Sequence, residues 1–212
     1  VKSYWSGETE YAFDVVTPGA AVLTTAQLKT ACRIELTDDN PSDPDVVARN
    51  AELVSHEAAA RDYCERLTGR LFSPTTVKLV APFPSKDGRI YLRRFPVTSI
   101  TSFKCRGTDG NYVTQVAGTD YFANLVGTDP FLSPTGTNLF FNYSLNWPVR
   151  QDAIEVIFVA GYATGTLPAM LLDCVRALVV WRFENPSNID KVPEGINRRL
   201  ASMRIAPRGG TW

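Results

Sequence analysis

The residues able to do chemistry in this chain are few and far apart. His56 is the single histidine among 212 residues. It lies in a helical stretch beside Glu57, with no Ser or Cys at catalytic spacing, and it reads as a surface or subunit-contact residue rather than a triad base. One histidine also excludes a histidine-rich metal site. The run Thr37-Asp38-Asp39-Asn40-Pro41-Ser42-Asp43-Pro44-Asp45 has the carboxylate density of a calcium loop. Its spacing fails that test, because Pro41 stands where a ligand is needed and no glycine turn follows. Gly161-Tyr162-Ala163-Thr164-Gly165-Thr166 resembles a phosphate loop between a strand and a helix, but it has no lysine and reads as a flexible connection. Arg89, Arg93, Arg94, Lys104 and Arg106 interleave with Tyr91, Phe95 and Phe103 on expected neighbouring strands. That pattern could bind single-stranded nucleic acid on a sheet; solvated strand faces are the simpler reading. Cys32, Cys64, Cys105 and Cys174 form no Cys-x-x-Cys pair and read as free buried thiols. No pair of carboxylates is marked out for glycoside hydrolysis. No catalytic residue, cofactor or metal site is assigned.

The elements that would carry these residues are legible from caps and periodicity. Residues 1–23 hold Tyr4, Trp5, Tyr11, Phe13, Val15 and Val16 and read as an extended arm with room for a short strand. Thr24-Thr25-Ala26-Gln27 is a capping box opening a first helix that ends near Glu35. Asp43 and Pro44 open a second helix over 44–68, stopped by Gly69. Val46, Leu53, Ala60 and Leu67 recur every seven residues along it, and Val47, Ala51, Val54 and Ala58 widen the apolar face. From 73 to 162 the pattern turns to β. Strands are expected at Thr75–Val80, Arg89–Arg93, Val97–Cys105, Asn111–Val116, Asp120–Val126, Asn138–Ser144 and Ala153–Ala160, with a hairpin turn at Thr108-Asp109-Gly110-Asn111. Pro168 opens a helix apolar on most sides, ending near Asn185-Pro186, and a short helix follows from Pro193 to Arg204.

The expected fold is α+β: a small helical bundle (24–72 and 163–204) with an antiparallel β domain (73–162), a small sandwich or barrel, inserted between the second and third helices. An N-terminal arm (1–23) and a C-terminal tail (205–212) flank it. Hydrophobic residues at 44% and charged residues at 21% fit a globular chain with a real core. No apolar stretch reaches the roughly 20 residues of a membrane span, and no secretory signal is read at the start. Lys and Arg total 22 against 22 Asp and Glu, which argues against a uniformly basic nucleic-acid binder.

Tyr63-Cys64-Glu65-Arg66-Leu67-Thr68-Gly69-Arg70 is similar to the "Tyr-x-Glu-x-x-Thr-Gly-Arg" helix end of the head-to-tail connector (adaptor, or head-completion) proteins of tailed bacteriophages. Pro96-Val97-Thr98-Ser99-Ile100 resembles that family's "Pro-Val-x-Ser-Ile" strand, and Val156 to Gly161-Tyr162 resembles its strand ending in Gly-Tyr. Pro168 through Trp181 and Asn185 resembles its apolar helix, and Val192-Pro193 to Leu200 and Arg204-Ile205 its terminal segment. The resemblance spans about residues 23–205. Met203 stands where the family has an aromatic, and the aromatic arm is longer than in the family.

The resemblance implies a structural virion protein without enzymatic activity, made in the host cytoplasm and located in the virion neck. It implies a homo-oligomeric, dodecameric ring beneath the portal protein, extending the DNA channel and offering a surface to a stopper or tail-completion protein. Packaged DNA would pass through without sequence-specific binding, and no membrane is involved. The alternative is a single-stranded nucleic-acid-binding module using the β domain. The charge is also uneven. Residues 1–60 hold four basic and ten acidic side chains, whereas 191–212 hold five basic and one acidic. Arg198, Arg199, Arg204, Arg208 and the terminal Trp212 are therefore the candidate portal-binding tail.

Overall fold

The computed structural model describes residues 11–34, 40, 42–85, 87–107, 109–135, 151–188 and 191–205. Within them the chain is α+β and forms two compact units. One comprises 11–18 and Pro74–Gly161; the other comprises Gly19–Ser73 and Tyr162–Ile205. Tyr4, Trp5, Thr37, Asp38 and Asp39 of the acidic run, the expected strand Asn138–Ser144, Arg208 and Trp212 lie outside the described residues.

The helical unit holds α1 (Thr25–Ala31), α2 (Pro44–Thr68), α3 (Ala169–Glu184) and α4 (Glu194–Ser202). The capping box of α1 is formed: Thr24 Oγ1 accepts Gln27 N–H at 3.3 Å, and Gln27 Oε1 accepts Thr24 N–H at 2.8 Å. The helix stops at Cys32, earlier than Glu35. Arg33 takes a left-handed φ of 57°, so Ile34 N–H returns to Lys29 O at 2.9 Å and Arg33 N–H to Thr30 O at 3.2 Å. This is the Schellman closure with arginine where glycine is usual. Asp43 caps α2 by accepting Asp45 N–H at 2.9 Å, with Pro44 at the first helical position.

The core of this unit brings Leu53, Ala60 and Cys64 of α2 against Leu171, Val175 and Leu178 of α3, with Leu28 and Leu200 closing it. Leu67 is only partly buried. The second apolar stripe departs from expectation. Val47 (51% exposed), Ala51, Val54 (47% exposed) and Ala58 face outward. The reason is packing: α1, α3 and α4 all contact α2 through the side that Leu53 and Ala60 occupy, leaving this flank uncovered.

The β unit is antiparallel throughout its named strands. Its five-stranded sheet runs β1 (Ala12–Thr17), β2 (Thr75–Ala81), β8 (Ile154–Ala160), β4 (Val97–Arg106), β5 (Tyr112–Thr114). The last named strand, β8, is thus the middle of the sheet. Residues 12–17 of the expected arm form β1, paired to β2. A second sheet runs β3 (Ile90–Tyr91), β7 (Phe131–Pro134), β6 (Tyr121–Asn124). Phe103 of β4 and Tyr121 of β6 meet edge to face at 5.1 Å. Alternation is clear in β2, where Thr75, Val77, Leu79 and Ala81 are buried and their neighbours are not.

Three expectations for strands are corrected. The run Arg89–Arg93 shrinks to Ile90–Tyr91, because Arg93 adopts φ 47° and turns the backbone out of the strand. Asn111–Val116 and Asp120–Val126 shorten to β5 and β6. Strand β7 has no counterpart among the expected strands, since its four residues follow Pro130 and end in Pro134. The hairpin turn forms as read: Asp109 accepts the Asn111 backbone N–H at 3.0 Å and its amide at 2.8 Å, which holds its carboxyl below the usual range.

Candidate functional site

The residues of chemical potential are absorbed by structure. His56 Nε2 lies 3.5 Å from Glu52 one turn away, an i,i+4 helix pair, and its side chain is mostly buried rather than surface-exposed. Asp43 is occupied as a cap. No group of three or more His, Cys, Asp or Glu is placed to hold a metal among the described residues. The glycine-rich loop closes on itself: Thr166 N–H and Oγ1 both donate to the Ala163 carbonyl, at 2.9 and 2.8 Å. The four cysteines are free thiols. Burial pushes the Cys64 thiol up to about 12 and raises that of Cys105 as well, so both are inert packing residues.

The basic and aromatic cluster of the β unit is also corrected. Arg89 belongs to the entry of β3 and Lys104 to β4, which lie in different sheets. Phe103 is buried at 1% exposure and offers no stacking face. The arginines lie over rings outside that set: Arg89 lies 4.3 Å from the Phe131 centroid, Arg93 4.7 Å from Tyr11, Arg94 4.8 Å from Phe13 and Arg106 4.1 Å from Tyr112. Arg106 also pairs with Asp152, and Lys104 with Glu155. Stacking of bases needs open rings beside solvated cations; here four of the arginines are engaged in cation–π contacts with rings of the protein itself.

What the fold assembles instead is the end of the helical unit. Thr68, Gly69, Arg70 and Tyr162 come together although 92 residues separate Arg70 from Tyr162, with Arg70 Nη1 donating to Tyr162 Oη at 2.6 Å. Thr68 is buried, and its hydroxyl donates to Cys64 O at 2.7 Å. Gly69 takes φ 70°, the left-handed cap that ends α2. Glu65 accepts Phe72 N–H at 2.7 Å; burial raises its pKa more than this bond lowers it. Tyr63 Oη donates to Asn197 of α4 at 2.7 Å. None of these long-range partners has a signal in local sequence.

The remaining resemblance positions sort into smaller groups. Pro96 and Gly161 meet in the β unit, where the Pro96 carbonyl accepts Gly161 N–H at 2.7 Å. Pro168 is the cap residue before α3. Asn185 closes α3 by donating both its backbone N–H and its amide to the Trp181 carbonyl, each at 3.0 Å. Arg198, Arg199 and Arg204 are exposed on and just after α4. Arg198 is paired with Glu194 one turn earlier.

The fold has close likenesses among solved structures. A chain in the neck of the empty gene transfer agent (GTA) particle, computed with C6 symmetry, matches with TM-score 0.73 at 18% identity, over 94% of this chain and 98% of that one. A chain in the virion of the native GTA particle matches with TM-score 0.69 at 19% identity, over 93% and 98%. A chain in the neck of the native GTA particle, computed with C12 symmetry, matches with TM-score 0.62 at 18% identity, over 94% and 98%. No protein-family model and no curated protein matches the sequence.

Proposed function

We propose that this chain is a structural virion protein of the neck, a head-to-tail connector that forms a ring beneath the portal and acts without catalysis. The observation that carries the reading is the fold likeness, which runs over 94% of this chain and 98% of a chain from a particle neck. The C6 and C12 symmetries of those necks support repeated copies around an axis, and we read the ring as dodecameric. The outward stripe of Val47, Ala51, Val54 and Ala58 supports the same reading. An uncovered apolar helix flank is what adjacent copies would bury.

On this reading the portal protein meets the C-terminal segment, with Arg198, Arg199, Arg204, Arg208 and Trp212 as the candidate contacts. A stopper or tail-completion protein takes the other side of the ring, and DNA passes through the channel without base-specific contacts. Binding of the purified chain to the portal of its own particle, followed by mass measurement, tests this. A ring of uniform stoichiometry on the portal is the expected result. Absence of binding, together with absence of the chain from purified particles, would sink the proposal.

A further inference from the structure

Two helix ends are tied together at one arginine. The last carbonyls of any α-helix have no donor within the helix. At the end of α2, the Gly69 turn sends its own N–H to Glu65 O, and the Thr68 carbonyl accepts Ile205 N–H at 3.0 Å. At the end of α4, whose cap is Met203, the Met203 carbonyl accepts Arg70 Nε at 3.1 Å. Each end therefore supplies a donor to the other. The same guanidinium bonds Tyr162 Oη through Nη1, so its two edges are fixed in one plane. A cation beside two carbonyl-rich helix ends is favoured by both helix dipoles. Thr68 Oγ1 accepts Arg70 N–H at 3.4 Å while donating to Cys64 O, which sets the turn itself. A side chain at Gly69 would meet Ile205 Cβ at an ordinary contact distance of 4.0 Å, so it is the φ of 70°, which L residues rarely adopt, that calls for glycine here.

We infer that the Thr68-Gly69-Arg70 turn is the mooring that fixes where and in which direction the chain leaves the helical unit after Ile205, with Arg70 as a positioning residue for the C-terminal segment. The inference deepens the connector reading and rests on it for the docking step alone. A nine-residue helix such as α4 holds its last turn poorly unless tertiary bonds tie it. Arg70 and the Thr68 carbonyl supply those bonds at the two residues where the tail begins. Lysine cannot replace the arginine, since a single ammonium on a flexible stem cannot span Met203 O and Tyr162 Oη as the rigid fork does.

Hydrogen exchange read by mass spectrometry on the full chain tests the mooring. Wild type, Arg70→Ala, Arg70→Lys and Tyr162→Phe are compared, with portal binding measured in parallel. In Arg70→Ala the amides of 203–205 should exchange about tenfold faster while those of α3 around Leu178 keep their protection, and portal affinity should fall about tenfold. Arg70→Lys should restore neither, and Tyr162→Phe should loosen 203–205 by a smaller factor. Should Arg70→Ala lose protection throughout α3, the two milder variants decide. Unchanged exchange at 203–205 in both would overturn the mooring. Faster exchange there without any portal binding by the wild type would uphold the mooring and sink the docking reading instead.

Discussion

Glu155 in the β unit and Glu65 in the helical unit are both carboxylates drawn into the fold, yet their ionisation is pushed in opposite directions. Burial alone would raise the pKa of each. At Glu155 two lysines outweigh it, Lys78 at 2.9 Å and Lys104 at 3.3 Å, and hold the carboxyl below the ordinary range. Glu65 has one backbone donor, Phe72 N–H, and burial wins. The contrast follows from the elements. Neighbouring strands set Lys78, Glu155 and Lys104 side by side across β2, β8 and β4, so a charge can be shared laterally. A helix presents its carboxylate to whatever chain crosses its end, here the turn that follows α2. Glu155 is thus held by paired charge, and Glu65 by a single backbone donor.

The largest effects test whether the two units are separate in energy as they are in construction. Phe158 of β8 and Leu178 of α3 are each fully buried. Phe158→Ala should cost about 3–5 kcal/mol and Leu178→Ala about 2–5 kcal/mol, from lost transfer and the cavity left behind. Hydrogen exchange in low denaturant should show each loss first in the unit that carries it. Equal loss in both units from either substitution would break the comparison.

Single-carboxylate substitutions sharpen it. Glu155→Gln leaves Lys78 and Lys104 without their shared partner. Their heads reach solvent at 35% exposure, so we expect a destabilisation of about 1–2 kcal/mol, less than for a fully buried pair. Glu65→Gln keeps an acceptor for Phe72 N–H and removes the cost of burying a charge. At pH 8 it should be neutral or stabilising by up to about 1 kcal/mol. Urea unfolding of both variants at that pH gives the two signs; two destabilisations would remove the contrast.

Acid titration separates the same two groups within one wild-type protein. The folded pKa of Glu155 is depressed, so its contribution is present above the unfolded glutamate value of about 4.3 and is lost as pH falls through the lower folded value. The folded pKa of Glu65 is raised, so its contribution is full below about 4.3 and is lost as pH rises through the higher folded value. Between pH 6 and pH 3 the β unit should therefore lose exchange protection while the Glu65 contribution grows. Glu155→Gln should flatten the acid side of the profile, and Glu65→Gln should flatten the side above about 4.3. A profile unchanged in both variants would show that neither carboxylate governs the response.

How far the sequence could be read follows the same division. Helix starts were legible because a cap is a local event: Thr24, Asp43 and Pro44 act on donors within three residues of themselves. The hairpin at Asp109-Gly110-Asn111 was legible for the same reason. Extent was less so where a non-glycine residue took a left-handed φ, as Arg33 and Arg93 do, because nothing local in an arginine announces that conformation. Strand β7 was hidden by the proline before it and the proline that ends it, and β8 could not be placed at the sheet centre from its own pattern. The candidate site was half visible. Thr68, Gly69 and Arg70 stood out through a family resemblance, but their partners Met203 and Ile205 lie more than 130 residues further on. The outward turn of Val47 and Val54 was also beyond reach, since periodicity gives a face and the neighbouring helices decide whether it is covered.

The smallest expected effect concerns the basic end of the helical unit, where stability and docking should part company. Arg198 and Glu194 form an i,i+4 pair with both side chains 77% exposed. Such pairs contribute about 0.3–0.5 kcal/mol, so Arg198→Ala should shift unfolding by no more than about 0.5 kcal/mol. Glu194 also neutralises Arg198 locally, whereas Arg199 projects from the same helix outside that pair. Reversal of Arg199 to Glu should therefore weaken portal binding more than reversal of Arg198, with Arg204 reversed as a third variant, and the difference should shrink as salt rises toward 0.5 M. Affinities measured at two salt concentrations on folded variants decide it. Equal losses for all three arginines would mean that the helix docks as a uniform basic surface. Full binding after reversal of Arg199 and Arg204 would mean that apolar contacts, not charge, hold this end of the chain.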